Sequence, residues 1–279
     1  MSVFSRSKTV IYDSAAASNP ALEELKEIWN YRNLIYQLTR RDILTRYKRS
    51  VLGVAWTMLN PLGMMIVLTL AFSQLFRFNT PNYPAYILSG LLVWNFFSQT
   101  TTAAINSLVW GGGLFKRIYM PPAIFAISSM VTGLVNLGLS LVPMLLIMLI
   151  TGAPIRWTIL FLPVPVFLLV LFALGVGLII STVAVFFPDV AEMYQILLTA
   201  WMYLTPIIYP SSILPERLHF WLRMLNPMVR IVDLFRLPLY NGRLPTWEEF
   251  WPTLITTLLI LVIGWILFTR KSKEFAYRI

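Results

Sequence analysis

Six stretches of this 279-residue chain run for twenty positions or more without one charged residue: 50–76, 78–115, 118–155, 157–188, 193–215 and 250–269. About 20 apolar residues suffice to cross roughly 30 Å of hydrocarbon at about 1.5 Å per residue, and each stretch meets that length. Charged residues make up 12% of the chain and hydrophobic ones 58%, against roughly 25% charged in a soluble domain. An ordinary soluble enzyme, a disordered chain and a secreted disulfide scaffold are all excluded. The sequence predicts an all-α membrane protein with six transmembrane helices.

The absence of Cys removes thiol catalysis, thiolate metal sites and disulfides. A net charge of +10 would suit nucleic acid, but its distribution points elsewhere. Residues 1–49 hold nine Lys/Arg against five acids, and 270–279 hold four against one. Basic residues flanking apolar helices report orientation and contact with anionic membrane lipids, so no nucleic-acid partner is expected. The first 49 residues show no cleavable signal peptide, and the first span is expected to act as the insertion signal. Six spans place both termini on one side, where Lys/Arg total 15 against 7 on the other. The positive-inside rule makes that side cytoplasmic. Five of the seven outer cations fall in 210–249, where Glu216, Asp233, Glu248 and Glu249 offset them.

The chain divides into a cytoplasmic N-terminal segment, 1–49, and a six-helix transmembrane domain, 50–279. Within the first, Leu22, Leu25, Ile28 and Trp29 gather on one face of a helix whose other positions are Glu23, Glu24, Lys26, Glu27 and Asn30. Asn19-Pro20 supplies a cap and first-turn proline, and such a helix lies in the membrane interface. Residues 34–49 read as helical with charge on several faces. Span 1 runs from Val51–Gly53 to Phe76, span 2 over 85–109, span 3 from Pro121-Pro122 to Ile150, and span 4 from Arg156 to Phe187-Pro188. Span 5 runs from about Val190 to Ile208 and span 6 over 250–269. Between them, 210–249 is broken by five prolines but keeps two apolar faces, Leu218, Trp221, Leu222 and Leu225, then Val229, Val232 and Leu234–Leu237. Two short helices dipping into the outer interface fit that pattern.

The span interiors contain no Asp, Glu, Lys, Arg or His. Ion-coupled transporters normally carry an ionisable intramembrane group, although sodium is also held by backbone carbonyls of broken helices. A membrane-embedded hydrolase or transferase needs a general base or metal ligands. His219 has no ligand cluster near it and reads as a solvent- or interface-facing side chain. Asp189 and Glu192 read as the solvated first turn of a helix. No catalytic residue and no metal site are therefore assigned. What the spans hold instead is neutral polar and aromatic: Asn60, Trp94, Asn95, Gln99, Thr100 to Thr102, Asn106, Asn136, Trp201, Tyr203 and Thr205. Amides and hydroxyls bond sugar hydroxyls, and aromatic faces stack on pyranose rings, so these residues suit a conduit for a neutral or weakly charged glycan. The same residue types also join helices or form interface belts. No phosphate-binding loop occurs; Gly111-Gly112-Gly113 continues to Leu114-Phe115-Lys116. Nucleotide chemistry must come from a partner, and the basic, Gly/Pro-bounded loop 110–122 is either its receptor or a plain connector.

Several motifs carry a family resemblance. Residues 40–56, Arg-Arg-Asp-Ile-Leu-Thr-Arg-Tyr-Lys-Arg-Ser-Val-Leu-Gly-Val-Ala-Trp, followed by Leu59-Asn60-Pro61-Leu62, resemble the entry to span 1 in ABC-2 type permeases of polysaccharide export. Gly90-Leu91-Leu92-Val93-Trp94-Asn95-Phe96-Phe97, Leu114-Phe115-Lys116-Arg117-Ile118-Tyr119-Met120-Pro121 and Leu204-Thr205-Pro206-Ile207-Ile208-Tyr209-Pro210 are similar to later motifs. Asn226-Pro227 and Phe275-Ala276 fit as well, and the likeness extends from about residue 22 onward. Phe187-Pro188-Asp189 departs from the pattern, since such permeases often carry Arg before the Asp.

The resemblance implies a homodimer joined to two ATP-binding cassette subunits, with ATP and Mg on those partners and no cofactor on this chain. The implied cargo is a lipid-linked glycan on polyprenyl diphosphate, such as O-antigen or capsule, exported across a bacterial cytoplasmic membrane. Wall teichoic acid is the rival cargo, and a membrane-embedded glycan-modifying enzyme is the rival class. From their residue types in the spans, Trp94, Asn95, Phe97, Gln99, Trp201 and Tyr203 are the conduit candidates. Phe115, Lys116, Arg117 and Tyr119 would couple to the ATPase, and 211–240 would form outer gate helices. Arg40, Arg41, Arg46, Lys48 and Arg49 would attract the diphosphate head group, or serve as topogenic charge alone.

Overall fold

A computed structural model describes residues 28–48, 50–76, 81–109, 120–153 and 155–278. Among the described residues there is no strand. The longer helices are α1 Arg32–Tyr47, α2 Ala55–Phe76, α3 Tyr83–Val109, α4 Ala123–Ile150, α5 Pro163–Phe186 and α6 Asp189–Tyr203. Two short helices, α7 Glu216–Leu225 and α8 Pro227–Arg236, precede α9 Trp247–Arg278. Residues 28–30 are helical at the edge of the expected interface helix, whose remaining positions lie outside the described residues.

Among the described residues four segments are long and apolar enough to cross a membrane: Ala55–Phe72, Ala123–Ile150, Trp157–Phe186 and Trp247–Ser272. Six were expected. The other two differ for separate reasons. The 27-residue α3 has the length, but Asn95, Gln99, Thr100–Thr102 and Asn106 lower its hydropathy. It can afford them because it is the central helix, packed against α2, α4, α5 and α8 and buried along most of its length. The 15-residue α6 stops at Tyr203, short of the expected Ile208, and 204–210 leaves the helix.

Helix boundaries follow local chemistry. Pro121-Pro122 precedes α4, and Pro163 and Pro227 occupy the first turns of α5 and α8, where a missing N–H is harmless. Asn226 caps α8 by accepting from Met228 N at 3.0 Å. Thr246 and Glu249 form a capping box at the start of α9: Thr246 N donates to the Glu249 carboxylate at 2.9 Å. Acids Asp189 and Glu192 sit in the exposed first turn of α6, where the helix dipole favours them.

The core sits between α3, α4, α5 and α9. Gly175 on α5 faces Gly264 on α9, and the backbones meet there. A Cβ on Gly264 would lie 2.4 Å from the Gly175 carbonyl oxygen, and one on Gly175 would lie 2.8 Å from Leu261 Cα. Small residues of this kind let apolar helices approach closely where lipid offers no competing hydrophobic drive.

Candidate functional site

The turn between α1 and α2 opens onto a polar groove walled by three helices. Trp56 and Asn60 of α2, Asn95 and Gln99 of α3, and Gly133, Asn136 and Ser140 of α4 line a cavity of about 260 Å³, with Arg46 and Ser50 at the turn itself. Each helix contributes residues three or four positions apart, which share one helical face. A second lobe of about 440 Å³ continues from Arg46, Gln99, Gly133 and Asn136 toward Asp42, Thr45 and Thr132. Ser140 Oγ donates to the Thr57 carbonyl at 3.1 Å and ties α4 to α2 beside the groove.

Of the conduit candidates, Asn95 and Gln99 line this groove and the four aromatic ones do not. Trp94, Phe97 and Trp201 join Phe172 in an aromatic cluster. Phe97 lies 5.2 Å from Trp201 and 5.5 Å from Phe172, and Trp94 lies 6.4 Å from Trp201. Trp94 and Phe97 are buried, so within one chain they act as packing. Tyr203 is exposed at the end of α6, and its carbonyl accepts from Tyr209 Oη at 2.9 Å. The head-group candidates Arg40, Arg41, Arg46 and Lys48 are exposed on or just after α1, and Arg41 pairs with Asp42 at 3.0 Å. Arg40, Arg41 and Lys48 line a shallow surface depression with Gln37 and Leu44, while only Arg46 turns to the groove. Arg49 and the coupling candidates Phe115, Lys116, Arg117 and Tyr119 lie outside the described residues.

At the opposite end of the bundle stands a buried cation, one of the five in 210–249. Arg236, on α8, is 3% exposed. Its Nη1 donates to the Pro206 carbonyl at 2.7 Å and to Tyr86 Oη at 2.9 Å; its Nη2 donates to the Ile207 carbonyl at 3.0 Å and the Tyr86 carbonyl at 3.2 Å. Its Nε reaches Ser89 Oγ at 3.3 Å, and its plane lies 3.7 Å over the Tyr86 ring. Burial pulls the guanidinium below arginine's ordinary range, opposed by Tyr86 and Asp233; an arginine so placed still keeps its proton. The signal was in the sequence: Arg236 interrupts the apolar face that runs through Leu234, Phe235 and Leu237.

The arginine explains the break after α6. Residues 204–210 are not helical, and their carbonyls need donors wherever water is scarce. Arg236 serves two of them, and Tyr83 Oη serves a third, Ile208, at 2.7 Å. Asn226 completes the knot. Its Oδ1 accepts from Trp201 Nε1 at 2.8 Å and from Met228 N, while its Nδ2 donates to Thr205 Oγ1 at 3.0 Å and Leu204 O at 3.3 Å. Beneath α7 lies a cavity of about 250 Å³ bordered by His219, Arg223, Asp233, Tyr240 and Glu249. Burial pushes the Asp233 carboxyl up, against the pull of Arg236, Arg223 and His219. Among the described residues no group of three His, Asp or Glu is placed to hold a metal.

In sequence the chain is similar to export permeases. Residues 33–240 match the family described as ABC-2 type transporter. The chain is 32% identical over 253 residues to the O-antigen export system permease protein RfbA of Myxococcus xanthus, covering 90% of this chain and 97% of that protein. It is 27% identical over 245 residues to a Klebsiella pneumoniae protein of the same name, covering 88% and 94%. It is 25% identical over 254 residues to the capsule polysaccharide export inner-membrane protein CtrC of Neisseria meningitidis, covering 89% and 95%. An all-helical bundle with apolar spans, matched over most of its length, places the chain firmly: it belongs to the ABC-2 type transporter family.

Proposed function

We propose that the chain is the membrane-spanning subunit of an ATP-driven exporter for a polysaccharide assembled on polyprenyl diphosphate, of the O-antigen or capsule kind. The observation that carries this reading is the neutral polar groove with Arg46 at its mouth, set in a chain whose relatives are named for polysaccharide export. A glycan needs many weak hydrogen bonds and no strong charge to hold it back, and the groove sets four amides and three hydroxyls among the apolar side chains of Pro61, Leu92, Phe96 and Leu137. In this reading the chain crosses a bacterial cytoplasmic membrane six times with both termini inside, pairs with a second copy, and binds two ATP-binding cassette subunits. ATP and Mg are held by those subunits. The loop 110–122 meets the ATPase, and α7 and α8 cover the outer mouth.

Reconstitution of the chain with its ATPase partner in proteoliposomes tests this. ATP-dependent passage of a polyprenyl-diphosphate-linked polysaccharide to the opposite leaflet is the expected result. Covalent modification of the glycan by the isolated chain, with no ATPase required, would overturn it.

A further inference from the structure

Four side-chain amides converge on the groove between α2, α3 and α4: Asn60, Asn95, Gln99 and Asn136. No hydrogen bond joins any of these side chains to another described residue, although neighbouring hydroxyls such as Ser140 and Thr100 are bonded to backbone carbonyls. Amides that hold helices together bond across the interface, and these do not. Each primary amide offers two donors and an acceptor with two lone pairs. Acyl chains satisfy none of that capacity. Polyol hydroxyls, which both donate and accept, satisfy all of it.

The surroundings narrow the class further. Trp56 stands at the rim, 52% exposed, as a face on which a pyranose ring can stack. Arg46, exposed at the end of α1, borders both lobes and supplies one fixed positive charge with a planar set of donors suited to phosphate oxygens. The cavity of about 260 Å³ has room for one or two sugar rings, not for a long polymer.

We infer that this groove is a binding subsite for the sugar residues next to the diphosphate, with the four amides reading hydroxyl positions and Arg46 facing the phosphate. The inference rests on the export reading above and adds to it. It makes the lipid-proximal sugar, rather than the repeat unit of the polymer, the part of the cargo that this subunit inspects. A site built to hydrogen-bond hydroxyls discriminates strongly against a ligand that lacks them, because its polar groups are then left unpaired.

The test uses the chain with its ATPase partner in nanodiscs and two probes, polyprenyl diphosphate without sugar and the same lipid bearing a disaccharide. Half-maximal stimulation of ATP hydrolysis is read for each. The wild type is expected to prefer the glycosylated probe by about tenfold or more, as two or more hydrogen bonds of ordinary strength require. The Asn60→Leu/Asn95→Leu/Asn136→Leu variant is expected to respond to both probes alike, and Asn33→Leu, an exposed amide on α1 outside the groove, to keep the preference. Should the triple variant fail to assemble, the single changes Asn60→Ser and Asn136→Ser carry the test, each expected to weaken the preference several-fold. A preference unchanged by these substitutions overturns the inference, as does a shift in oligomeric mass without a change in preference, which would make the face a protein contact. A wild type that no lipid-linked probe stimulates defeats the export reading itself, a distinguishable outcome.

Discussion

Arg236 shows how one side chain makes a broken helix tolerable. Two carbonyls of the 204–210 segment, one tyrosine and one serine share its donors, and the tyrosine ring also lies against its face. Hydrogen bonds from a charged donor contribute about 1.5–3 kcal/mol each, and stranding their acceptors costs about 1–3 kcal/mol apiece. Arg236→Leu is therefore expected to lower unfolding free energy in detergent by about 3 kcal/mol or more. Gly90 is the complement of this arrangement, since a Cβ there would lie 2.5 Å from Arg236 Nη2. Gly90→Ala should cost about 1–3 kcal/mol by overpacking, and Tyr86→Phe, which removes the hydroxyl that accepts from Arg236 and keeps the ring, about 1.5–3 kcal/mol. A denaturant series that ranks Tyr86→Phe above Arg236→Leu in damage would refute the assignment. Asp233 carries the opposite sign. Its carboxyl is held above the ordinary value of 3.8, chiefly by burial, so the folded protein binds the proton more tightly than the unfolded chain. Stability then falls as pH rises from about 3.8 through the folded value, and is level above it. Asp233→Asn should flatten that fall, which melting temperatures taken from pH 4 to pH 8 will show.

Among the elements, α5 and α9 meet backbone to backbone through Gly175 and Gly264. A methyl group at 264 meets a carbonyl oxygen at 2.4 Å, which only separation of the helices relieves. Gly264→Ala is expected to cost about 1–3 kcal/mol. Gly138→Ala, with nothing within 4 Å of the added methyl, should instead gain up to about 1 kcal/mol from helix propensity. Equal effects at the two positions in a thermal melt would sink the packing account. Element boundaries were legible wherever local chemistry sets them. The proline pair opening α4 and the two short helices between α6 and α9 were readable from the residues, whereas the span expected to start after Arg156 begins with a separate turn, Trp157–Phe161, and its helix opens at Pro163. The end of α6 was not, because the apolar run continues through Ile207 and Ile208 and only a distant arginine makes its unwinding tolerable. The groove was half legible. Asn95 and Gln99 stand out as amides in an apolar span, but their sequence neighbours Trp94 and Phe97 lie on another face of the helix. Trp94 and Phe97 are three apart and turn to the core, whereas Asn95 and Gln99 are four apart and turn to the groove. About 100° of helical rotation separates residues adjacent in sequence.

At the scale of the whole molecule, three connections gather at one end of the bundle. Tyr83 Oη donates to Ile208 O, Thr158 Oγ1 donates to Pro238 O at 2.8 Å, and Arg156 Nη1 donates to Gly242 O at 3.4 Å. Exposed Trp247 stacks on Trp251 at 6.0 Å where α9 starts, an arrangement suited to the headgroup belt. At the other end Lys271 and Arg278 lie 5.4 and 5.6 Å over the Phe186 ring, beside the α5–α6 turn. Cations cluster at this second end with α1, and in the proposed topology this is the cytoplasmic end. The chain contains no Cys, so single cysteines can be introduced without removing any native thiol. Ser212→Cys and Arg217→Cys, both exposed at the first end, should react with a membrane-impermeant maleimide in intact cells stripped of their outer barrier. Asp189→Cys and Arg278→Cys, exposed at the second end, should react only after the membrane is permeabilised. Six crossings with α3 and α6 as full spans require this alternation. Four crossings by the most apolar helices alone would leave α3 and α6 as helices that do not cross. That would put 212 on the side of 189, so the two cysteines would then react together. Labelling of the 189 and 212 variants under the same condition would therefore remove α6 from the spans, and opposite labelling establishes it as one.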